Sequence, residues 1–288
     1  MKIAIASGKG GTGKTTLATN LAKSITDRSV ILVDCDVEEP NTHLFLNPNI
    51  EKEQTVSTFI PSVDMDKCTL CGRCTVLCQF KSIINIKEKI LVFPELCHSC
   101  YGCRRICPEQ AISDGQKEIG TIATGMSGRV RCFIGTLNIG EAMAPPLIRA
   151  VKKAALNNGI SDLLILDAPP GTSCPVIEAV KDTDFIVLVT EPTPFGLHDL
   201  LLAVEMVKIV NIPFGVVINR SDIGNRSVFD YCQCNKIPVL LEIPENRKIA
   251  ESYSQGKLII DTLPEYQAVF RDLFGSIEMK IANQEAAA

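Results

Sequence analysis

Short unbroken apolar runs recur along the chain, most of them followed by a stretch of helical pattern. Met1–Ala6, Val30–Asp34, Leu163–Asp167, Phe185–Thr190, Phe214–Asn219 and Ile237–Leu241 are such runs. Continuous rather than alternating apolarity marks strands covered on both faces. Helical spacing begins at Leu17, spans Pro146–Asn157 with proline in the first turn, returns at Leu197–Val210, and surrounds Val228. The alternation predicts an α/β fold with a mostly parallel sheet and helices on both faces. Between Glu265 and Ile281, Tyr266, Phe270, Leu273, Phe274 and Ile277 share one helical face. The opposite face mixes Glu265, Asp272 and Glu278 with Arg271 and Lys280. A membrane-surface helix needs a basic face, so a helix packed on its own domain is expected.

The pattern breaks once. From Asn47 to Asp66 the chain is polar and interrupted by proline, and reads as irregular. A cysteine-rich stretch follows, and then Glu118–Thr124 and Arg131–Leu137 resume strand patterning across an expected Gly125–Gly128 turn. One α/β domain, residues 1–60 and 113–288, is therefore expected to be interrupted by a small α+β insert, residues 61–112. Of 288 residues, 46% are hydrophobic and 22% charged, enough for a substantial core. The net charge of −4 and the absence of Trp argue against a nucleic-acid partner. No run is long enough to span a membrane, and no leader precedes the first strand, so a cytoplasmic protein is expected. Thirteen cysteines in that setting point to metal ligation before disulfides.

The first apolar run leads directly into Ser7-Gly8-Lys9-Gly10-Gly11-Thr12-Gly13-Lys14-Thr15-Thr16 and then a helix. Strand, glycine loop, helix and G-x-x-x-x-G-K-[ST] together describe a phosphate-binding loop. Backbone N–H groups of the glycines turn toward phosphate oxygens at the positive end of a helix dipole. Lys14 supplies a point charge for the outer phosphates, and the Thr15 hydroxyl suits Mg²⁺. Lys9 is a second lysine, not needed to hold phosphate in cis.

Gly8–Thr16 resembles the deviant phosphate loop of the MinD/ParA/nitrogenase iron protein class of ATPases. The resemblance covers about residues 1–46 and 115–275, and four motifs occur in order. It implies a homodimer with ATP at the interface, in which Lys9 reaches the partner's nucleotide. It makes Asp36, after Asp34-Cys35, the group that orients the attacking water, with Asn41 a polar switch residue. Asp167, before Ala168-Pro169-Pro170-Gly171-Thr172, is implied to hold Mg²⁺. Asn219 and Arg220, with Pro244 and Glu245, fall where adenine is contacted in the class.

Cys68-x2-Cys71-x2-Cys74-x3-Cys78 is followed by Cys97-x2-Cys100-x2-Cys103-x3-Cys107-Pro108. Each run is similar to the ligand pattern of bacterial two-cluster ferredoxins, in which the fourth cysteine crosses to the other cluster. The resemblance implies one [4Fe–4S] cluster on Cys68, Cys71, Cys74 and Cys107, and another on Cys97, Cys100, Cys103 and Cys78. Structural zinc is the alternative. Gln79 stands where the second run has Pro108, which bears on the turn after Cys78. Cys35 and Cys132 lie in or beside strands and are expected in the core. Cys174 lies near the switch region. Cys232-Gln233-Cys234 sits where iron–sulfur scaffold ATPases carry a C-x-x-C, with a spacer one residue shorter. The combined expectation is an Mg-ATP-hydrolysing dimer that couples nucleotide state to electron transfer toward an unknown redox or cluster-acceptor protein. The competing uses are a cluster assembly or carrier ATPase and a non-redox positioning ATPase.

Overall fold

The computed structural model describes residues 1–159 and 161–285. The chain builds a nine-stranded sheet. Its parallel strands are β1 (Lys2–Ala6), β2 (Val30–Asp34), β7 (Val130–Leu137), β8 (Leu163–Asp167), β9 (Phe185–Thr190), β10 (Phe214–Asn219) and β11 (Val239–Ile243). The order is β11-β10-β9-β1-β8-β2-β7-β6-β3, with β3 (Asn49–Val63) and β6 (Ile112–Ser127) closing one edge as an antiparallel pair.

Successive strand residues face opposite layers, so the unbroken apolar runs feed two cores. Ala4, Val33, Leu166 and Leu188 face one side. There they meet α5 (Ala144–Leu156), α6 (Cys174–Val180), α7 (Pro194–Val210) and α8 (Ser227–Cys234). Ile3, Ile5, Leu32 and Ile165 face α1 (Lys14–Ser24) and α11 (Tyr266–Glu285) on the other. In α11, Phe270, Leu273, Phe274 and Ile277 are buried, and Arg28 pairs with Glu278 at 2.6 Å. The C-terminal helix is thus part of the body. No helix among the described residues is long and apolar enough to cross a membrane.

The irregular stretch expected from Asn47 is instead largely the fifteen-residue strand β3. As half of a two-stranded ribbon at the sheet edge it has little to bury, so no alternation marks it. β6 begins at Ile112 and runs through Ser127. The turn to β7 therefore falls at Gly128-Arg129, later than Gly125–Gly128 suggested. Ser127 pairs with Val130 across it, and Gly128 supplies the positive φ of 59° that such a tight hairpin needs.

The position of the ribbon fixes where the cysteine-rich segment lies. Leu137 ends β7 at the same edge where β1 delivers the phosphate loop, and Leu137 pairs with Gly120. Ile112–Ile119 and their partners in β3 overhang that edge. At about 3.3 Å per residue, the overhang reaches roughly 25 Å. Val63 pairs with Ile112 at its tip, and the cysteine-rich segment lies between them.

Candidate functional site

β1 ends at Ala6 and α1 begins at Lys14, leaving Ser7–Gly13 as the loop. Gly13 has φ 98°, and a Cβ there would lie 2.6 Å from the Asn219 amide nitrogen. That amide donates to the Thr12 carbonyl at 2.9 Å, tying the loop to the end of β10. Asn219 Oδ1 accepts from the Arg220 N–H. Asn219 is thus a strut of the phosphate loop as well as a wall of the cavity.

A cavity of about 370 Å³ opens above the loop. Gly10, Gly11, Gly13, Lys14, Thr15 and Thr16 line its floor, Asp36 and Asn41 one wall, and Asn219, Arg220, Pro244 and Glu245 the far end. Sequence reasoning missed Tyr253 and Ile249 at that end. Nothing local marks them, because they reach the cavity through the packing of their helix. Gly8 and Thr12 stand outside the lining.

Asp34 and Asp36 separate into two roles. Asp34 is fully buried and accepts from the N–H groups of Asp36, Asn41 and Thr42 and from the Thr42 hydroxyl, at 2.8–3.1 Å. It shapes the loop. Asp36 faces the cavity instead. Burial, together with the Asp34 charge, pushes its carboxyl up to about 6 against the pull of Lys14. Asp167, at the end of β8, accepts from the Thr15 hydroxyl at 2.6 Å. Burial and neighbouring Asp34 push its carboxyl up to about 8. Lys14 is buried and held below the usual lysine range by desolvation.

Lys9 does not line its own chain's cavity. Its Nζ lies 3.7 Å from Glu191 Oε2, and Arg220 reaches the other Glu191 oxygen at 3.0 Å and Glu245 at 3.2 Å. Glu191 went unremarked in the sequence. The signal was its place immediately after the apolar run of β9.

In the insert, a hairpin of β4 (Ile83–Ile86) and β5 (Lys89–Val92) separates the two runs, and α3 (Arg73–Leu77) and α4 (Gly102–Ile106) each follow the second cysteine of a run and carry the third. The two halves copy one another's backbone. Leu70, Gly72 and Lys81 have positive φ, and so do Ser99, Tyr101 and Gln110 at equivalent places. Lys81 donates to the Cys78 carbonyl and Gln110 to that of Cys107, both at 3.3 Å. The turn after Cys78 therefore matches its counterpart despite Gln79. Cys68, Cys71, Cys74 and Cys107 line one cavity together, and Cys78 is not among its walls. Burial pushes the Cys103 thiol up to about 11, opposed by the Arg104 N–H and reinforced by nearby Cys97, Cys100 and Cys74.

Four buried side-chain polar atoms among the described residues have no hydrogen-bond partner. Two are in the nucleotide site, Thr12 Oγ1 and Asp167 Oδ1; two are in the insert, Thr75 Oγ1 beside Cys74 and Asn85 Oδ1. Orphaned polar atoms are costly and call for a missing partner. A buried, unpartnered carboxylate oxygen beside a threonine hydroxyl fits a hard cation with oxygen ligands. Eight cysteines in two matching loops fit iron–sulfur ligation. No three Cys, His, Asp or Glu side chains among the described residues converge tightly enough to hold a single ion.

The remaining cysteines divide by burial. Cys35 and Cys132 are in the core, as expected. Cys232 is also in the core, whereas Cys234 is exposed. They do not present paired thiols. Cys174 is exposed at the start of α6.

A parallel sheet with a glycine loop at the end of β1, a lysine and threonine opening the next helix, and an aspartate under the threonine defines a P-loop nucleotide-binding protein. Residues 3–259 match the model of the CobQ/CobB/MinD/ParA nucleotide-binding domain, and the chain belongs to that family. Two uncharacterized proteins of Methanocaldococcus jannaschii are 30% and 32% identical, with 89% and 88% of this chain and 90% and 94% of theirs covered. An iron–sulfur cluster carrier protein of Aquifex aeolicus is 25% identical over 91% of this chain and 62% of its own. The septum site-determining protein MinD of Pyrococcus horikoshii, solved with Mg-ADP, shares the fold with a TM-score of 0.60 at 21% identity. That match covers 96% of this chain and 95% of the other.

Proposed function

We propose that the chain is an Mg²⁺-dependent ATPase that works as a nucleotide-sandwich homodimer and couples its nucleotide state to electron transfer through two [4Fe–4S] clusters. The observation that carries this reading is an arrangement: matched cysteine loops stand on a ribbon that overhangs the edge where the phosphate loop opens. Residues 1–60 and 113–288 form the ATPase body, and residues 61–112 the cluster domain.

In this reading the N–H groups of Gly10–Thr16 and the Lys14 ammonium hold the phosphates. Thr15 and Asp167 would hold Mg²⁺, which would offset the charge of the phosphates. Asp36, mostly ionised at neutral pH, accepts a hydrogen bond from the attacking water and orients it. Asn219, Arg220, Pro244 and Glu245 surround the base. Lys9, turned away from its own cavity, is free to swing from Glu191 to the partner's phosphates, where a cation stabilises charge as an arginine finger does. The cysteines assigned above hold the clusters, which take up and release single electrons when present.

A carrier ATPase is the second reading, favoured by the likeness to cluster carrier proteins. The burial of Cys232 weighs against it, because a transient cluster needs both thiols of Cys232 and Cys234 at the surface. The decisive experiment is anaerobic electrochemistry of the purified protein with and without Mg-ATP, alongside iron analysis. Two cubanes require about eight irons per chain. A nucleotide-dependent shift in cluster potential is expected. About four irons, or potentials indifferent to nucleotide, would overturn the coupled reading.

A further inference from the structure

The residue after Asp36 makes the first contact between the nucleotide site and the ribbon. Val37 is buried, and its carbonyl accepts from the N–H of Leu137 at 2.8 Å. A Cβ on Gly135 would lie 2.7 Å from the Val37 side chain, so the bare glycine is what lets the switch loop seat against β7. One residue on, Asn138 donates from its backbone to the Ile119 carbonyl at 2.9 Å, and from its side chain to Glu118. Then Glu141 reaches back to Lys117 at 2.7 Å, with only 7% of the glutamate side chain exposed. Beyond Lys117 the ribbon continues past the sheet. Both halves of the insert rest on it: Ser99 donates to the Phe59 carbonyl at 2.7 Å, Arg104 pairs with Asp114 at 2.6 Å, and Val63 and Ile112 wall the Cys68–Cys107 cavity.

We propose that Lys117 and Glu141 are positioning residues that lock the base of the ribbon to the segment following β7, on whose last residue Val37 rests, so that movement of Asp36 and Val37 on nucleotide exchange tilts the ribbon and resets the surroundings of the clusters. The proposal rests on the coupled reading above. Its physical basis is leverage. The bonds from Asn138 and Glu141, beside the Val37–Leu137 contact, grip one end of a ribbon that continues roughly 16 Å beyond Lys117. A small rotation at the grip becomes a large excursion at the insert. Without the ion pair, the hydrogen bonds at Leu137 and Ile119 remain but the lever is free to pivot around them. A contiguous run of packed side chains, hydrogen bonds and an ion pair is one physical route by which coupling is carried between distant sites.

The test is the nucleotide-induced shift in cluster potential, measured in the wild type, Lys117→Gln and Glu141→Gln, each with its iron content and ATP turnover. The variants should lose most of the shift while keeping iron and turnover. A full shift in both variants would overturn the proposal and leave the coupled reading standing. No shift in the wild type would remove the coupled reading itself, and this proposal with it. Hydrogen exchange on the unmodified protein keeps the idea testable if the variants fold poorly. A non-hydrolysable ATP analogue should change protection at residues 117–120 and 137–141, and unchanged exchange there would refute the mechanism.

Discussion

Ile3, Leu32, Ile165, Phe185 and Phe270 are fully or almost fully buried in the body, each sandwiched between sheet and helices. Between Asp64 and Ala111, by contrast, only Ser82, Ile83 and Ala111 are buried. Val76, Leu77, Phe80 and Leu96 are exposed. The body is stabilised by apolar surface removed from water, at roughly 25 cal/mol per Å². The insert has almost no such core, and in the proposed reading metal–thiolate bonds would supply its folding energy. On the proposed reading, one chain combines a body held by its apolar core and an insert whose order would depend on bound clusters.

Substitutions can strike each region separately. Lys14→Ala should reduce ATP turnover by about a thousandfold or more, since it removes the charge that faces the phosphates. Iron content should not change; a variant that loses iron as well would show that the two regions do not fold independently. Lys9→Ala should lower turnover by about a hundredfold while nucleotide affinity, read by calorimetry, changes little. Severe loss of affinity would instead place Lys9 in its own chain's site.

Stripping iron with a chelator under reducing conditions attacks the other region. Proteolysis should then cut between Asp64 and Ala111 and spare the body, which should still bind nucleotide. Equal resistance with and without iron would break the contrast between the two kinds of stabilisation.

A smaller effect concerns pH. Asp167 is pushed up to about 8 and Asp36 to about 6, above the usual carboxylate range. The native metal-free protein therefore holds protons that the unfolded chain releases. The stability that these two groups contribute is full below about pH 4 and falls as pH rises through the raised values. In the proposed reading Mg²⁺ displaces the Asp167 proton, so the rise in melting temperature on adding Mg-ADP should grow from about pH 6 to about pH 8. A gain that shrinks over that range would contradict the assignment of Asp167. Finally, with iron bound, a thiol reagent should modify Cys174 and Cys234 and leave Cys35, Cys132 and Cys232 untouched, as mass spectrometry would detect. Rapid labelling of Cys232 would reopen the carrier reading.

Much of the body was legible because its strands are buried on both faces and leave unbroken apolar runs. The ribbon was not. Glu51, Lys52, Glu53 and Gln54 are exposed, and an edge strand that buries neither face carries no periodicity. Thr55, Val56, Thr58 and Ile60 were the available β-branched hint. The candidate site shows the same division. Gly8–Thr16 and the two cysteine runs are local patterns whose chemistry depends on spacing within a few residues, so they could be found without a structure.

The sequence by itself determined a phosphate loop with a second lysine, a parallel α/β sheet, and two matched cysteine runs interrupting it. It could not say that Asp34 is occupied by its own loop while Asp36 stays free, nor that Lys9 turns to Glu191. Nor could it say that Cys232 points into the core, or that Val37 bonds to the foot of a ribbon carrying the cysteines. Those facts were decided by tertiary structure: the Asp34 loop closes locally where β2 leaves the sheet, and the others are contacts between segments brought side by side only when the sheet forms.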